Sequence, residues 1–306
     1  MSVKESMPTT SAACKYNSRT AKSIIGQLGI PNRAIEAFPG LASALDSVHF
    51  ADAVRDFQVE CGQPRSHTDG KLGPMTWKSL LSKYEPVMPN DNYVVFSGRR
   101  LHIGDTSSPY TVVNFDQTGG MSLHEAGHFS PWVNTSIERV IMHWGGLDPK
   151  HLHAVMNTPN RKVSTHFGIG IIDEEVVIYQ YIDLVHKTWH AGKHNANSIG
   201  VDICQQPDYK WIQRYKDKGY DVKKIKNPTH RGNKNIISLD PRIALAVGSF
   251  VEDLMERLEL KIEAPDHHNV VADTSEYTLL GHHHLTSNKW DIACWWDDCF
   301  SPDPLS

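Results

Sequence analysis

At 306 residues, with 40% hydrophobic and 22% charged side chains, the chain has the length of two ordinary globular domains and enough apolar residues for a core in each. A formal charge of -4, with neither a basic stripe nor an interleaved aromatic platform, removes the electrostatic argument for nucleic acid as a partner. No run approaches the roughly 20 apolar residues that span a bilayer, and Met1–Thr20 is polar without an apolar h-region. No membrane association and no signal peptide are therefore expected.

The five cysteines (Cys14, Cys61, Cys204, Cys294, Cys299) are scattered without CxxC spacing, which fits reduced thiols better than a disulfide framework or a zinc ribbon. Eleven of the 18 histidines gather at 124/128, 143/151/153, 186/190/194 and 282 to 284, a density that gives compositional support to metal chemistry.

In chain order, residues 1–20 read as a polar tail and 21–84 as a small helical domain. Val54 and Phe57 share a helix face, Asp69-Gly70 supplies a turn, and Gly73-Pro74 opens the next helix with proline at its first position, where the missing N–H costs nothing. The order Ala53-Val54, Phe57-Gln58, Asp69-Gly70, Gly73-Pro74, Thr76-Trp77, Leu80 resembles the signature of the peptidoglycan-binding domain found beside many cell-wall hydrolases. Residues 85–92, with Pro86 and Pro89, read as a linker, and 93–306 as a second domain.

In that second part Val94-Val95-Phe96 and Tyr110–Val113 are candidate short strands. His124-Glu125-Ala126-Gly127-His128 fits the H-E-x-x-H pattern of zinc metalloproteases, but Gly119-Gly120 before it and Pro131 after it leave barely two helical turns. A loop or short helix near the groove is the expectation there. The β-branched run Arg139–Trp144 reads as a buried strand that delivers His143 to a sharp turn at Gly145-Gly146. Asp148-Pro149 caps a helix to about Met156. Strands at 165–172 and 176–182 form a hairpin, a further strand runs 198–203, and 210–234 reads as a solvated basic insertion. Asp240-Pro241 caps the best amphipathic helix, with Ile243, Val247, Phe250, Leu254 and Leu258 on one face. The fold class is α/β, a mixed β-sheet flanked by helices with the 240–260 helix on one face.

The order His143, Ser164-x-His166, Trp189-His190-Ala191-Gly192, Asn197–Asp202, then Gly281-His282 with Lys289 and Asp291 resembles the zinc-dependent N-acetylmuramoyl-L-alanine amidases, the type 2 amidase family related to peptidoglycan recognition proteins. The resemblance implies Zn²⁺ held by His143, His282 and Asp291, with His283 and His284 as alternatives for the second ligand. Two imidazoles and a carboxylate leave a fourth tetrahedral position for water, as in catalytic zinc sites. It further implies Lys289 as oxyanion stabiliser and Asp202, where the family often has glutamate, as general base or as a carboxylate orienting a ligand histidine. Asn197 falls at the substrate groove, His190 is either a groove residue or a structural histidine, and Thr165 stands where some phage members carry a catalytic tyrosine. The implied function is a peptidoglycan hydrolase that cuts the amide between N-acetylmuramic acid and L-alanine. The alternatives are a zinc peptidase acting on the stem peptide and a catalytically silent wall-recognition protein. The implied partner is peptidoglycan, with an immunity or inhibitor protein as a further candidate, and the implied place of action is the cell wall, reached by release or delivery.

Overall fold

The computed structural model describes residues 11–25, 29–64, 67–84, 92–123, 129–131, 136–229 and 232–300. The expected linker at 85–92 and the His124–His128 motif lie almost wholly outside the described residues, with only Asn92 of the linker inside them.

The chain begins with α1 (Ser11–Tyr16), which passes through a π-helical turn at Asn17–Ala21 into α2 (Lys22–Ile25). This corrects the expectation of a polar tail to residue 20. Asn17 is fully buried, because its side chain donates to the carbonyl of Gly70 (2.9 Å) and accepts from the N–H of Leu72 (2.9 Å). Then come α3 (Asn32–Ala37), α4 (Val48–Glu60) and α5 (Pro74–Tyr84). Val54, Phe57, Trp77 and Leu80 fill a core with Phe50, Leu41 and Leu72. Gln58 is buried beside them; its Oε1 accepts from the N–H of Gly70 (2.9 Å) and its Nε2 donates to Thr76 Oγ1 (3.2 Å). The signature residues of this stretch are thus largely internal scaffolding.

The second part runs β1 (Tyr93–Phe96), β2 (Arg99–His102), β3 (Thr111–Asn114), β4 (Phe129–Ser130), β5 (Arg139–Trp144), α6 (Pro149–Met156), β6 (Phe167–Ile172), β7 (Glu175–Gln180), β8 (Lys187–Thr188) and β9 (Ser198–Ile203). It continues with α7 (Ile212–Asp217), β10 (Lys224–Lys226), β11 (Asn235–Ile237), α8 (Pro241–Arg257), β12 (Leu279–Gly281), α9 (His282–Leu285) and α10 (Trp296–Phe300). A six-stranded mixed sheet has the order β12-β5-β9-β6-β7-β3. β12, β5, β9 and β6 pair in parallel, β7 returns antiparallel to β6, and β3 lies parallel to β7. Asp173 and Glu174, both at positive φ (51° and 72°), make the tight turn whose twist matches the β6–β7 hairpin.

Strand alternation sorts the sheet into two faces. Val140, Met142, Phe167, Ile169, Ile199, Val201 and Ile203 share one core with Ile243, Val247, Phe250 and Leu254 of α8. Asp240 starts that helix as expected, its side chain accepting from the N–H of Arg242 at 2.9 Å. The opposite face of β5 and β9 carries Ile141, His143, Ser198, Gly200 and Asp202 and builds the site. The 210–234 segment departs from the solvated reading. Tyr215, Tyr220 and Val222 are buried in the main core while Lys216, Lys218, Lys223, Lys224 and Lys226 stay exposed. Short elements hid this, because three anchors spread over α7 and its following turn show no sustained period.

The helical group meets the sheet through the β1–β2 turn. Trp77 Nε1–H donates to the carbonyl of Ser97, and Arg99 reaches the carbonyl of Gly29 at 3.5 Å. The same turn is held from the other side by buried Asp183, whose carboxylate accepts from the N–H groups of Ser97 (2.6 Å), Gly98 (2.6 Å) and Val185 (3.0 Å). Asp183→Ala strands these three amides and is expected to lower the unfolding free energy at neutral pH by about 2–4 kcal/mol in urea titrations. A change below about 0.5 kcal/mol, the size of an ordinary surface substitution, would show that the turn does not depend on this carboxylate.

Candidate metal centre

Parallel pairing of β5 with β12 and β9 brings three carboxyl strand ends together, the place where open α/β sheets bind ligands. His143 is the fifth residue of β5, and Asp202 is its register partner on β9. His282 follows immediately on β12 as the first residue of α9. Asp291 arrives on the loop between α9 and α10.

Three donor atoms converge here. His143 Nδ1 lies 3.1 Å from His282 Nδ1, His282 Nδ1 lies 3.1 Å from Asp291 Oδ2, and His143 Nδ1 lies 3.6 Å from Asp291 Oδ2. Zinc bonds of about 2.0–2.2 Å at tetrahedral angles space ligand atoms about 3.4 Å apart, so this triangle has the size of one face of a zinc coordination shell. Among the described residues it is the one group of at least three histidine, cysteine or acidic side chains compact enough to hold a metal ion. Two imidazoles and a carboxylate also match zinc's preference for nitrogen and oxygen donors. Burial pushes the Asp291 carboxyl upward, but the adjoining His143 and His282 outweigh it and hold the group well below the usual carboxylate range. Asp291 is therefore a carboxylate, the form a ligand needs.

The neighbouring histidines separate by geometry. His283 and His284 are fully buried and point elsewhere. His283 Nδ1 pairs with the carbonyl of Asp291 (2.9 Å), while His284 Nδ1 accepts from the N–H of Gly281 (3.0 Å) and His284 Nε2 donates to the carbonyl of His267 (2.8 Å). Beside the triangle, Ile292 is forced to φ 51°, a conformation that costs a β-branched residue about 1–3 kcal/mol. Complete burial of its side chain and the His283 bond to the preceding carbonyl hold it there.

Asp202 lies next to the triangle rather than in it. Its Oδ1 would be 2.3 Å from a Cβ on residue 145, so glycine at that turn is what lets the carboxylate lie across the end of β5. Burial raises its pKa, with His143 and Thr165 pulling the other way. Lys289 is exposed at the same mouth, close enough for its charge to act on both Asp202 and His282. Thr165 is buried, with its hydroxyl over Gly200.

The two residues expected at the groove, His190 and Asn197, both have partners within the protein. His190 has both ring nitrogens engaged: Nδ1 lies 3.0 Å from His143 Nε2 and Nε2 lies 3.2 Å from Ser198 Oγ, leaving no ring nitrogen for a substrate. Burial, then the neighbouring His143, His166 and His282, hold its pKa well below the usual histidine range, so the ring is neutral. Asn197 donates to the carboxylate of Glu138 and sits at the opening end of β9, five residues from Asp202 and about 16 Å away along the strand. Motif adjacency had grouped it with Asp202, but a strand carries the two apart. Ser198 was not singled out from the sequence, although the spacing Ser198, Gly200, Asp202 on one strand face was an available signal. His283 was named there only as an alternative ligand, and its contact with the carbonyl of Asp291 had no signal in the sequence.

Comparison with known proteins bears on this stretch. A profile of the Amidase_2 family, described as N-acetylmuramoyl-L-alanine amidase, matches residues 133–293. Over 68 residues the chain is 34% identical to the N-acetylmuramoyl-L-alanine amidase CwlH of Bacillus subtilis, a match to 21% of this chain and 26% of that protein. The chain thus spans about a quarter of the length of that curated relative. Among solved structures, the catalytic domain of XlyA is 14% identical, with a TM-score of 0.38 over 61% of this chain and 93% of the other. The Staphylococcus aureus hydrolase AmiA in complex with its ligand is 10% identical, with a TM-score of 0.33 over 58% and 67%. The family profile covers more than half of the chain and includes all three converging donors, and the chain belongs to the N-acetylmuramoyl-L-alanine amidase family.

Proposed function

We propose that this chain hydrolyses the amide between N-acetylmuramic acid and the L-alanine of the peptidoglycan stem peptide, with Zn²⁺ held by His143, His282 and Asp291. The observation that supports this most is the 3.1, 3.1 and 3.6 Å triangle of donor atoms inside the family-matched stretch. Bound there, Zn²⁺ supplies Lewis acidity, which brings the pKa of water towards about 7 and polarises the scissile carbonyl.

The protein's own groups take the remaining roles. Asp202 is the general base: its carboxyl is made more basic by burial, and it takes the proton of the attacking water and returns it to the leaving amine. An aspartate is one methylene shorter than the glutamate common in the family. Its position as register partner of His143, with glycine at 145 leaving room for its carboxylate, supports the role. Lys289 offers its ammonium to the oxyanion of the tetrahedral intermediate. The helical group at 21–84 acts as a wall-binding domain joined to the amidase domain, with its Trp77 and Gly29 in contact with Ser97 and Arg99. Docking on the wall would raise the local substrate concentration at the metal centre. Because its signature residues are mostly buried, the wall is met by other, exposed side chains of that group. The protein acts at the cell wall, in the periplasm or outside the cell, after release or delivery by another route. Delivery by a secretion machine would add an immunity or inhibitor protein to its partners. Among the described residues no helix is long and apolar enough to cross a membrane.

Chelation should abolish loss of turbidity of a wall suspension, and zinc add-back should restore it; mass spectrometry of the digest should show intact glycan and free peptides beginning with L-alanine. Release of terminal D-alanine instead would identify a stem-peptide peptidase, and lysis indifferent to chelator would exclude a zinc enzyme. His143→Ala should abolish activity while His124→Ala largely spares it, and the reverse pattern would transfer the metal to the His124–His128 motif. Asp202→Asn should lower kcat by about 10²–10⁴-fold, the usual worth of a general base, with zinc affinity retained in chelator competition. A variant that loses zinc in proportion to activity would make Asp202 a metal-orienting residue instead.

A further inference from the structure

We infer that His190 and Ser198 are positioning residues that fix the tautomer of His143, so that its Nδ1 presents a lone pair to the metal. This rests on the metal-centre reading of His143, His282 and Asp291. The inference follows from the direction in which a chain of hydrogen bonds must run.

The chain starts at its far end. The Ser198 hydroxyl donates to the carbonyl of His194 at 2.6 Å, which commits its one proton. The 3.2 Å contact between Ser198 Oγ and His190 Nε2 then requires the ring to be the donor, so His190 carries its proton on Nε2. With that proton on Nε2, Nδ1 is the acceptor nitrogen of the His190 ring, and the 3.0 Å contact to His143 Nε2 makes His143 the donor. A ligating His143 that keeps its proton on Nε2 leaves Nδ1 bare, the atom that lies 3.1 Å from His282 Nδ1 and 3.6 Å from Asp291 Oδ2. A backbone carbonyl, which cannot reverse its role, therefore sets the polarity of the ligand three bonds away.

The sheet is built to seat this chain. Gly200 lies on β9 between Ser198 and Asp202, and a Cβ there would come within 2.8 Å of His190 Cγ and 2.9 Å of its Nδ1. The missing side chain leaves the gap in which the ring sits beneath His143. His166 closes the gap from the side, its ring edge-on to His190 at 6.2 Å between centroids. His166 is itself fixed, with Nδ1 accepting from the N–H of Gly200 (3.0 Å) and Nε2 donating to the carbonyl of His186 (2.8 Å). His190 N–H and Ala191 N–H both bond Asn195 Oδ1, at 3.1 and 2.6 Å, which holds the backbone that carries the ring.

Partners that orient a ligating histidine typically contribute 10–100-fold to metal affinity. The test uses the full chain and two readouts besides activity: zinc affinity by competition with a chromophoric chelator, and ¹⁵N–¹H NMR of the imidazoles in the zinc-free protein. His190→Ala should weaken zinc binding about 10–100-fold, Ser198→Ala should weaken it less, and His190→Asn, whose Oδ1 can accept in place of Nδ1, should recover most of the loss. The wild-type spectrum should show His143 protonated on Nε2, and Ser198→Ala should mix its tautomers. Wild-type zinc affinity in both His190→Ala and Ser198→Ala, or a wild-type His143 protonated on Nδ1, would overturn the inference while leaving the metal centre intact. If His190→Ala does not fold, His190→Asn and Ser198→Ala decide: zinc binding in Ser198→Ala equal to wild type, with His190→Asn as poor as a ligand deletion, would also overturn it. A wild-type chain that takes up no zinc would refute the metal centre itself, and this inference with it.

Discussion

Parallel pairing of β5 with its two neighbours is the constraint on which the rest of the site depends. His143 and His282 are 139 residues apart in sequence, and only the alignment of β12 with β5 puts their rings in contact. The same alignment on the other side places Asp202 beside His143. Parallel strands need crossovers, so the intervening chain must cover the sheet, and α8 with its Ile243, Val247, Phe250, Leu254 stripe does so. Each such side chain contributes about 1.5–3 kcal/mol on burial. That apolar face is what can hold in place the polar face opposite.

Clustering imidazoles and carboxylates in a half-buried mouth is unfavourable unless each polar atom has a partner of the right polarity. Much of the local structure answers that requirement. His166 spends its two nitrogens on backbone groups, His284 does the same, and His283 pairs with the carbonyl of Asp291. The backbone strain at Ile292 sits on the residue after that ligand. Strain of this kind persists where surrounding contacts over-determine the chain, and here it adjoins a carboxylate of the converging donor triangle.

Much of this was legible in the sequence, and the parts that were not share a cause. The strand ending at His143 and the helix from Asp240 were readable because β-branched runs, caps and a 3.6-residue period are local signals. The helical group was readable from its turn and helix-start residues, yet burial of Phe57, Gln58 and Trp77 shows that its signature records how the group folds. The neighbours of His143 were legible only through an ordered set of motifs resembling a family, since no spacing within the chain relates residue 143 to 282 or 291. Asn197 and His190 mark the limit of that route: a motif lists residues side by side, while a strand separates Asn197 from Asp202 and turns His190 inward to His143. The segment at 210–234 was misread for a different reason. Its lysines dominate the composition, and three buried anchors, Tyr215, Tyr220 and Val222, are too few and too irregular to show a period.

The central claim is that three side chains from distant parts of the chain form one metal centre with a defined ligand atom from each. Anomalous diffraction at the zinc edge, on crystals of the zinc-loaded full chain, tests it most directly. The account predicts one peak bounded by His143 Nδ1, His282 Nδ1 and Asp291 Oδ2 at about 2.0–2.2 Å from each. A peak on His283, His284 or the His124–His128 motif, or ligation of His143 through Nε2, would contradict it.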